Sequence, residues 1–169
     1  EAPGAGWVST SPGYFEVLRM SVVQGRTFTD QDSGAAPRVV IVNETLAKKF
    51  FPKGDALNSR ITIGKGVGPE FEEPLREIVG IVGDVHASSL SDPPSPIMYV
   101  PIAQVNDGVI ALNNGIGAAR WIVRTKLEPF SLSADIQREL REASGGLPVA
   151  HIRSSNKSSR NPPRKAIFT

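Results

Sequence analysis

Between Arg38 and Pro52 the chain reads Arg-Val-Val-Ile-Val-Asn-Glu-Thr-Leu-Ala-Lys-Lys-Phe-Phe-Pro, and this stretch constrains the fold more than any other. Arg38 to Val42 is a β-branched run that suits a buried strand. Asn43 follows at once, and its short carboxamide is a strong helix N-cap. Leu46, Ala47 and Phe50 then recur at helical spacing, so they mark the inward face of a helix. Pro52 and Gly54 stop that helix. Together with the strand and helix signals elsewhere, the expected class is α/β in the broad sense, a mixed α+β arrangement.

Strand and helix signals elsewhere suggest a split repeat. The first unit is strand Gly6–Ser9, helix Pro12–Arg19 and strand Met20–Val23, with Ser11 as N-cap and Pro12 at the first helical position. The second is strand Arg120–Thr125, helix Pro129–Ala143 and strand Leu147–Arg153. Leu132, Ile136 and Leu140 form the apolar stripe of that second helix, and Gly145 ends it. A strand–helix–strand order favours parallel strands joined by a crossover. The stretch between the units is mainly β. Arg76-Glu77-Ile78-Val79-Gly80-Ile81-Val82-Gly83-Asp84-Val85 is the strongest strand signal, with Gly80 and Gly83 marking a bulge or a close backbone approach. Ile97–Pro101 is a short strand, and Pro93-Pro94-Ser95-Pro96 excludes regular structure before it. The expected organisation is a porter-like lobe from residues 1–26 and 119–153, an inserted strand-rich lobe over 27–118, and a flexible tail over 154–169.

Composition narrows function mainly by exclusion. The chain of 169 residues has no cysteine, which removes disulfides, thiolate metal sites and cysteine nucleophiles together. A net charge of +2 is too small and too dispersed for a nucleic-acid-binding face. The basic run from Arg153 to Lys165 reads as a solvated terminus, with anionic lipid or nucleic acid as the other reading. No apolar stretch approaches the length of a membrane span.

Chemistry-bearing residues form no complete constellation. Asp84 and His86 stand two apart at a strand end and would share a face, but acid–base or metal chemistry needs a further converging group. A carboxylate capping local amides is the simpler reading of Asp84. His151 has no Gly-x-Ser-x-Gly elbow to serve. Gly64-Lys65-Gly66-Val67-Gly68 and Gly115-Ile116-Gly117 lack Walker spacing and read as loops. Glu70, Glu72 and Glu73 read as a solvated acidic loop, with a cation site as the alternative. No catalytic, cofactor-binding or metal-binding residue is assigned.

The order of several landmarks resembles a known family. They are Ser11-Pro12-Gly13-Tyr14-Phe15, Gly25-Arg26-x-Phe28, Val40-Ile41-Val42-Asn43-Glu44, Phe50-Phe51-Pro52, Ile78-Val79-Gly80-Ile81-Val82-Gly83-Asp84-Val85 and Tyr99-Val100-Pro101, followed by Val123-Arg124-Thr125 and Leu147-Pro148-Val149. In this sequence they resemble the extracytoplasmic core domain of MacB-like and FtsX-like permeases of ABC transporters. The resemblance implies a porter-like lobe with a second lobe inserted in it, tethered between the first two membrane helices of a permease and facing the periplasm. It implies a non-catalytic role that couples ATP-driven change to export or partner engagement, and it implies no cofactor. The implied partners are the rest of the permease, a cytoplasmic ABC ATPase, a second permease copy and an adaptor protein. The chain begins without the stretch that usually precedes the equivalent of Val8 in this family. Two other readings compete: a periplasmic module sensing a peptide or other ligand, and a small hydrolase using Asp84 and His86.

Overall fold

The computed structural model describes residues 4–64, 73–85, 93–106, 109, 120–146, 152–155 and 165–168. They fall in two compact units, Glu1–Ala111 and Leu112–Thr169.

The first unit is a mixed sheet built around β3 (Val39–Asn43), all five residues of which are buried. Its neighbours are β5 (Arg76–Val82), parallel to it, and β6 (Ile97–Pro101), antiparallel to it. β1 (Gly6–Thr10) lies parallel to β6 at one edge, and β2 (Val22–Gly25) lies antiparallel to β5 at the other. The order is β1-β6-β3-β5-β2, and the short β4 (Arg60–Ile61) pairs with the start of β5. A purely β-branched strand occupies the centre because only there are both faces covered. Val40 and Val42 join Leu46, Ala47, Ala56, Ile78, Ile81, Val100 and Val105 on the face covered by α2 (Glu44–Phe50). Val39 and Ile41 join Phe15, Phe28, Val82 and Tyr99 on the opposite face, where α1 (Tyr14–Leu18) contributes Phe15. Edge-to-face packing of Phe15 on Tyr99, with centroids 5.1 Å apart, fills that second core.

Two expected features take a definite form. β5 carries a bulge, since Val40 opposes Ile78 and Ile41 opposes Gly80, leaving Val79 as the extra residue. The bulge shifts the alternation of β5, so that Ile78 and Ile81 share the α2 face although three positions apart. Glycine is required where β2 meets this bulge. A Cβ on Gly80 would lie 2.2 Å from the Arg26 carbonyl oxygen, and one on its partner Gly25 would lie 2.2 Å from that of Val79.

Several expectations are corrected. Ser11 does not cap α1. The Ser11-Pro12-Gly13-Tyr14 stretch forms a turn, with Gly13 at φ 86° and ψ −8° and the Tyr14 amide donating to the Ser11 carbonyl at 3.4 Å. Pro followed by a left-handed Gly is the signature of a type II turn, and it delays the helix to Tyr14. β1 and β2 run in the same direction, as a strand–helix–strand unit requires, but they do not pair: β6, β3 and β5 lie between them. Strands from residues 1–26 are thus hydrogen-bonded into the same sheet as strands from 27–118. The edge made by β2 is extended along β5 by β4, so one strand of seven residues serves two short antiparallel partners.

The second unit has β7 (Trp121–Arg124), a 3-10 turn (Pro129–Leu132), α3 (Ser133–Ala143), β8 (Ile152–Ser155) and β9 (Lys165–Phe168). Leu132, Ile136 and Leu140 are half-buried, and α3 ends where the Gly146 amide, at φ 102°, donates to the Arg141 carbonyl at 2.7 Å. β7 and β8 share a direction, but β9 is inserted between them and is antiparallel to both. Residues expected in a flexible tail therefore supply the central strand of this sheet.

The close contact at Gly80 makes a test of the sheet. Gly80→Ala is expected to destabilise the chain by about 1–3 kcal/mol, the usual cost of forcing atoms into a filled site. Gly4→Ala, where a Cβ meets nothing within 4 Å, is expected to leave the urea midpoint unchanged.

Candidate functional site

Four of the six buried polar residues among the described ones, Asn43, Glu73, Arg76 and Gln104, gather at the two ends of β3, and each end is closed by one side-chain carboxamide.

At the C-terminal end, Asn43 is fully buried. Its Oδ1 accepts from the Leu46 amide at 3.0 Å, which is the helix cap expected from the sequence, and from the Ile97 amide at 2.9 Å. Its Nδ2 donates to Asp84 Oδ1 at 2.7 Å and to the Ser95 carbonyl at 2.9 Å. Every hydrogen-bonding position of the carboxamide is used. Asp84 Oδ1 also accepts from the Thr45 amide at 3.0 Å, and Oδ2 accepts from Thr45 Oγ1 at 2.8 Å. The carboxylate thus sits at the start of α2, where negative charge is favoured, with both oxygens engaged. The amide that Asp84 caps belongs to a helix 39 residues earlier in the chain, whereas the sequence predicts a cap on neighbouring amides. Its sequence companion His86 lies outside the described residues, as do His151, Glu70, Glu72 and the glycine-rich stretches beginning at Lys65 and Gly115.

At the N-terminal end the corresponding residue is Gln104, 1% exposed. Its Oε1 accepts from the Val39 amide and from Arg76 Nη1, both at 3.0 Å. Its Nε2 donates to the carbonyls of Ser33 at 3.1 Å and Pro37 at 2.9 Å. Its own carbonyl accepts from Arg76 Nη2 at 2.8 Å and from Arg38 Nη1. Arg76, also 1% exposed, completes its bonding with Glu73 Oε2 at 2.6 Å and the Val39 carbonyl at 3.2 Å. A buried guanidinium is tolerated here because a buried carboxylate and three carbonyl-type oxygens face it. Glu73, read in the sequence as part of a solvated acidic loop, is buried by this pairing. Sequence reasoning missed this group. Its only linear signal is an arginine opening the strongest strand, with its partner carboxylate three residues earlier.

Beside β2 a bidentate pair joins Arg26 and Asp32, with both contacts at 2.8 Å. The Arg26 guanidinium, followed by the Thr29 amide, holds the Asp32 carboxyl below the usual carboxylate range against the opposing effect of burial. A shallow open groove of about 380 Å³ lies nearby, with Val23, Ala47, Phe51, Pro52, Ala56 and Ile81 among its lining. Among the described residues, no three His, Asp or Glu side chains converge in a way that could hold a metal ion. No described helix is long and apolar enough to cross a membrane.

Two outcomes follow from these geometries. Asn43→Ala removes the α2 cap and leaves the Ile97 amide and one Asp84 lone pair without their partner. The expected loss is about 2–4 kcal/mol in chemical unfolding, a cap together with buried unsatisfied groups. Asp32 has a lowered folded-state pKa, so its contribution is present above the unfolded carboxylate pKa and disappears as pH falls through the folded one. Asp32→Asn is expected to lower stability at neutral pH and to flatten the acid limb of a stability–pH profile measured below the ordinary Asp range.

Comparison with known proteins gives the family. The family model of the MacB-like periplasmic core domain matches residues 3–143. The uncharacterized ABC transporter permease YvrN of Bacillus subtilis (strain 168) is 28% identical over 91 residues, covering 52% of this chain and 20% of that protein. The uncharacterized ABC transporter permease YknZ of the same organism is 34% identical over 89 residues, covering 53% of this chain and 20% of that protein. The chain thus spans about a fifth of the length of these relatives. The crystal structure of the periplasmic region of MacB from Actinobacillus actinomycetemcomitans superposes with a TM-score of 0.51 at 19% identity, over 80% of this chain and 55% of that one, a likeness of fold. With a single family model accounting for residues 3–143, both sheet edges and both polar ends of β3 included, the chain belongs to the MacB-like periplasmic core domain family.

Proposed function

We propose that this chain is the extracytoplasmic domain of an ABC-type permease and that its role there is mechanical and recognitive. On this reading it makes no and breaks no covalent bond. It moves when a cytoplasmic ATPase closes and opens, and the movement gates substrate export or engages a partner outside the membrane. Its partners would be the membrane helices of its own permease, the ATPase, a second permease copy and a periplasmic adaptor protein.

The observation that carries the non-catalytic part is the state of Asp84. The carboxylate that best fits an acid–base role in the sequence has both oxygens tied to Asn43 and Thr45 as part of a helix start. A carboxylate so engaged is poorly placed to exchange protons with a substrate. The buried charges Arg76 and Glu73 are likewise matched to each other. Support for the mechanical part is the division into two compact units, each with its own sheet. Units of this kind commonly move relative to each other on a driving signal.

The test uses the complete parent permease with its ATPase in lipid vesicles. The chain contains no cysteine, so spin labels at Lys53→Cys and Glu139→Cys, both exposed, report on this domain within a permease otherwise cleared of thiols. The expected result is a change in the inter-label distance distribution during ATP turnover, absent with a hydrolysis-deficient ATPase. A distribution indifferent to nucleotide would remove the coupling role. Labelling of Lys53→Cys in intact cells by a membrane-impermeant maleimide is expected, and its failure would remove the extracytoplasmic placement.

A further inference from the structure

We propose that Gln104 is the key of a conformational lock that makes the connecting segments at the N-terminal end of β3 open and close as one unit, separately from the rest of the sheet.

Three segments distant in sequence end at this residue. The segment leading into β3 is held through the Ser33 and Pro37 carbonyls and the Val39 amide. The segment leading into β5 is held through Arg76, which carries Glu73 with it. The Glu73 amide in turn donates to the Ile63 carbonyl at 3.2 Å, so the end of the β4 segment is fastened to the same group. The third segment is the 3-10 turn Ile102–Gln104 itself, closed by the Val105 amide on the Ile102 carbonyl at 3.2 Å. Arg38 adds a second tie, donating to the Gln104 carbonyl while its own carbonyl accepts from the Glu77 amide at 3.0 Å.

Mutual satisfaction of buried polar groups ties these segments into one unit. Gln104 and Arg76 are each 1% exposed, and their partners are shared rather than private. Moving any one segment withdraws donors or acceptors that a buried neighbour cannot replace from water, so the neighbours must follow. Independence from the rest of the sheet comes from the second node. Asn43 closes the opposite end of β3 with partners from α2, Asp84, Ser95 and Ile97, none of which belongs to the Gln104 group. The exposed side chains Leu75 and Ile102 sit next to the lock in sequence, on two of the segments it holds. A displacement imposed on one of these segments is thereby transmitted to the others. The inference rests on the bonding geometry and does not depend on the transporter reading.

Hydrogen exchange of the 169-residue chain tests it, with Glu73→Gln weakening the lock through its pairing with Arg76. The expected result is a rise of about tenfold or more at the Val39 and Val105 amides by similar factors, while the Leu46 amide, bonded to Asn43 at the other end, changes less than about twofold. A rise confined to residues 73–76 would overturn the lock, because the segments would then open separately. An equal rise at Leu46 would also overturn it, because that end would have no independence from the sheet. Arg38→Ala leaves the Glu73–Arg76 pair intact and serves if the first variant does not fold. It is expected to raise Val39 and Val105 together by a smaller factor, again without Leu46, and a rise at Val39 alone would overturn the proposal.

Discussion

The structure of the first unit depends on the burial of β3. A strand with all five residues buried cannot leave its terminal backbone groups or the chain entering and leaving it to water. Both ends therefore carry a buried carboxamide with its bonding capacity filled: Gln104 at Val39 and Asn43 in the strand itself. Each imports a charged residue to finish the job, Arg76 with Glu73 at one end and Asp84 at the other. The apolar cores on the two faces of β3 supply most of the favourable free energy, at about 1.5–3 kcal/mol for each large side chain fully buried. The polar ends supply register and direction, since each is satisfied in one arrangement only.

How much of this is legible in the sequence depends on whether the signal is local. β3 and α2 are readable because strand, cap, helix face and stop are consecutive between Val39 and Gly54. The bulge in β5 is readable because Gly80 and Gly83 interrupt an otherwise β-branched run. The start of α1 misleads because Ser11 and Pro12 fit a cap and first turn as well as they fit a type II turn, and only the left-handed Gly13 separates the two. Strand pairing is less legible. Parallel directions of β1 and β2, and of β7 and β8, follow from the crossover, but what lies between them is set by strands far along the chain. The Gln104 lock is silent in the sequence for the same reason. Its members are spread from Ser33 to Gln104, and Gln104 and Arg76 look like ordinary surface residues until the sheet brings them together.

The family match gives these features a setting. The family model spans residues 3–143, and the features the structure explains within that span are almost all architectural: the turn before α1, the glycines where β2 meets β5, the strand–cap–helix at Asn43 and the end of β6. Asp84, the residue that looks most like chemistry, belongs to that architecture too.

The most direct measure of whether the buried charges are there for architecture is a double-mutant cycle of Glu73→Leu and Arg76→Met, followed by urea unfolding. Either substitution alone leaves a buried charge without its counter-charge and is expected to cost about 3–5 kcal/mol. The double variant, with no charge left at the site, is expected to be more stable than the sum of the two losses by well over about 1 kcal/mol. Strict additivity, with both single variants close to the parent, would contradict the account, because the end of β3 would then not depend on this matched pair.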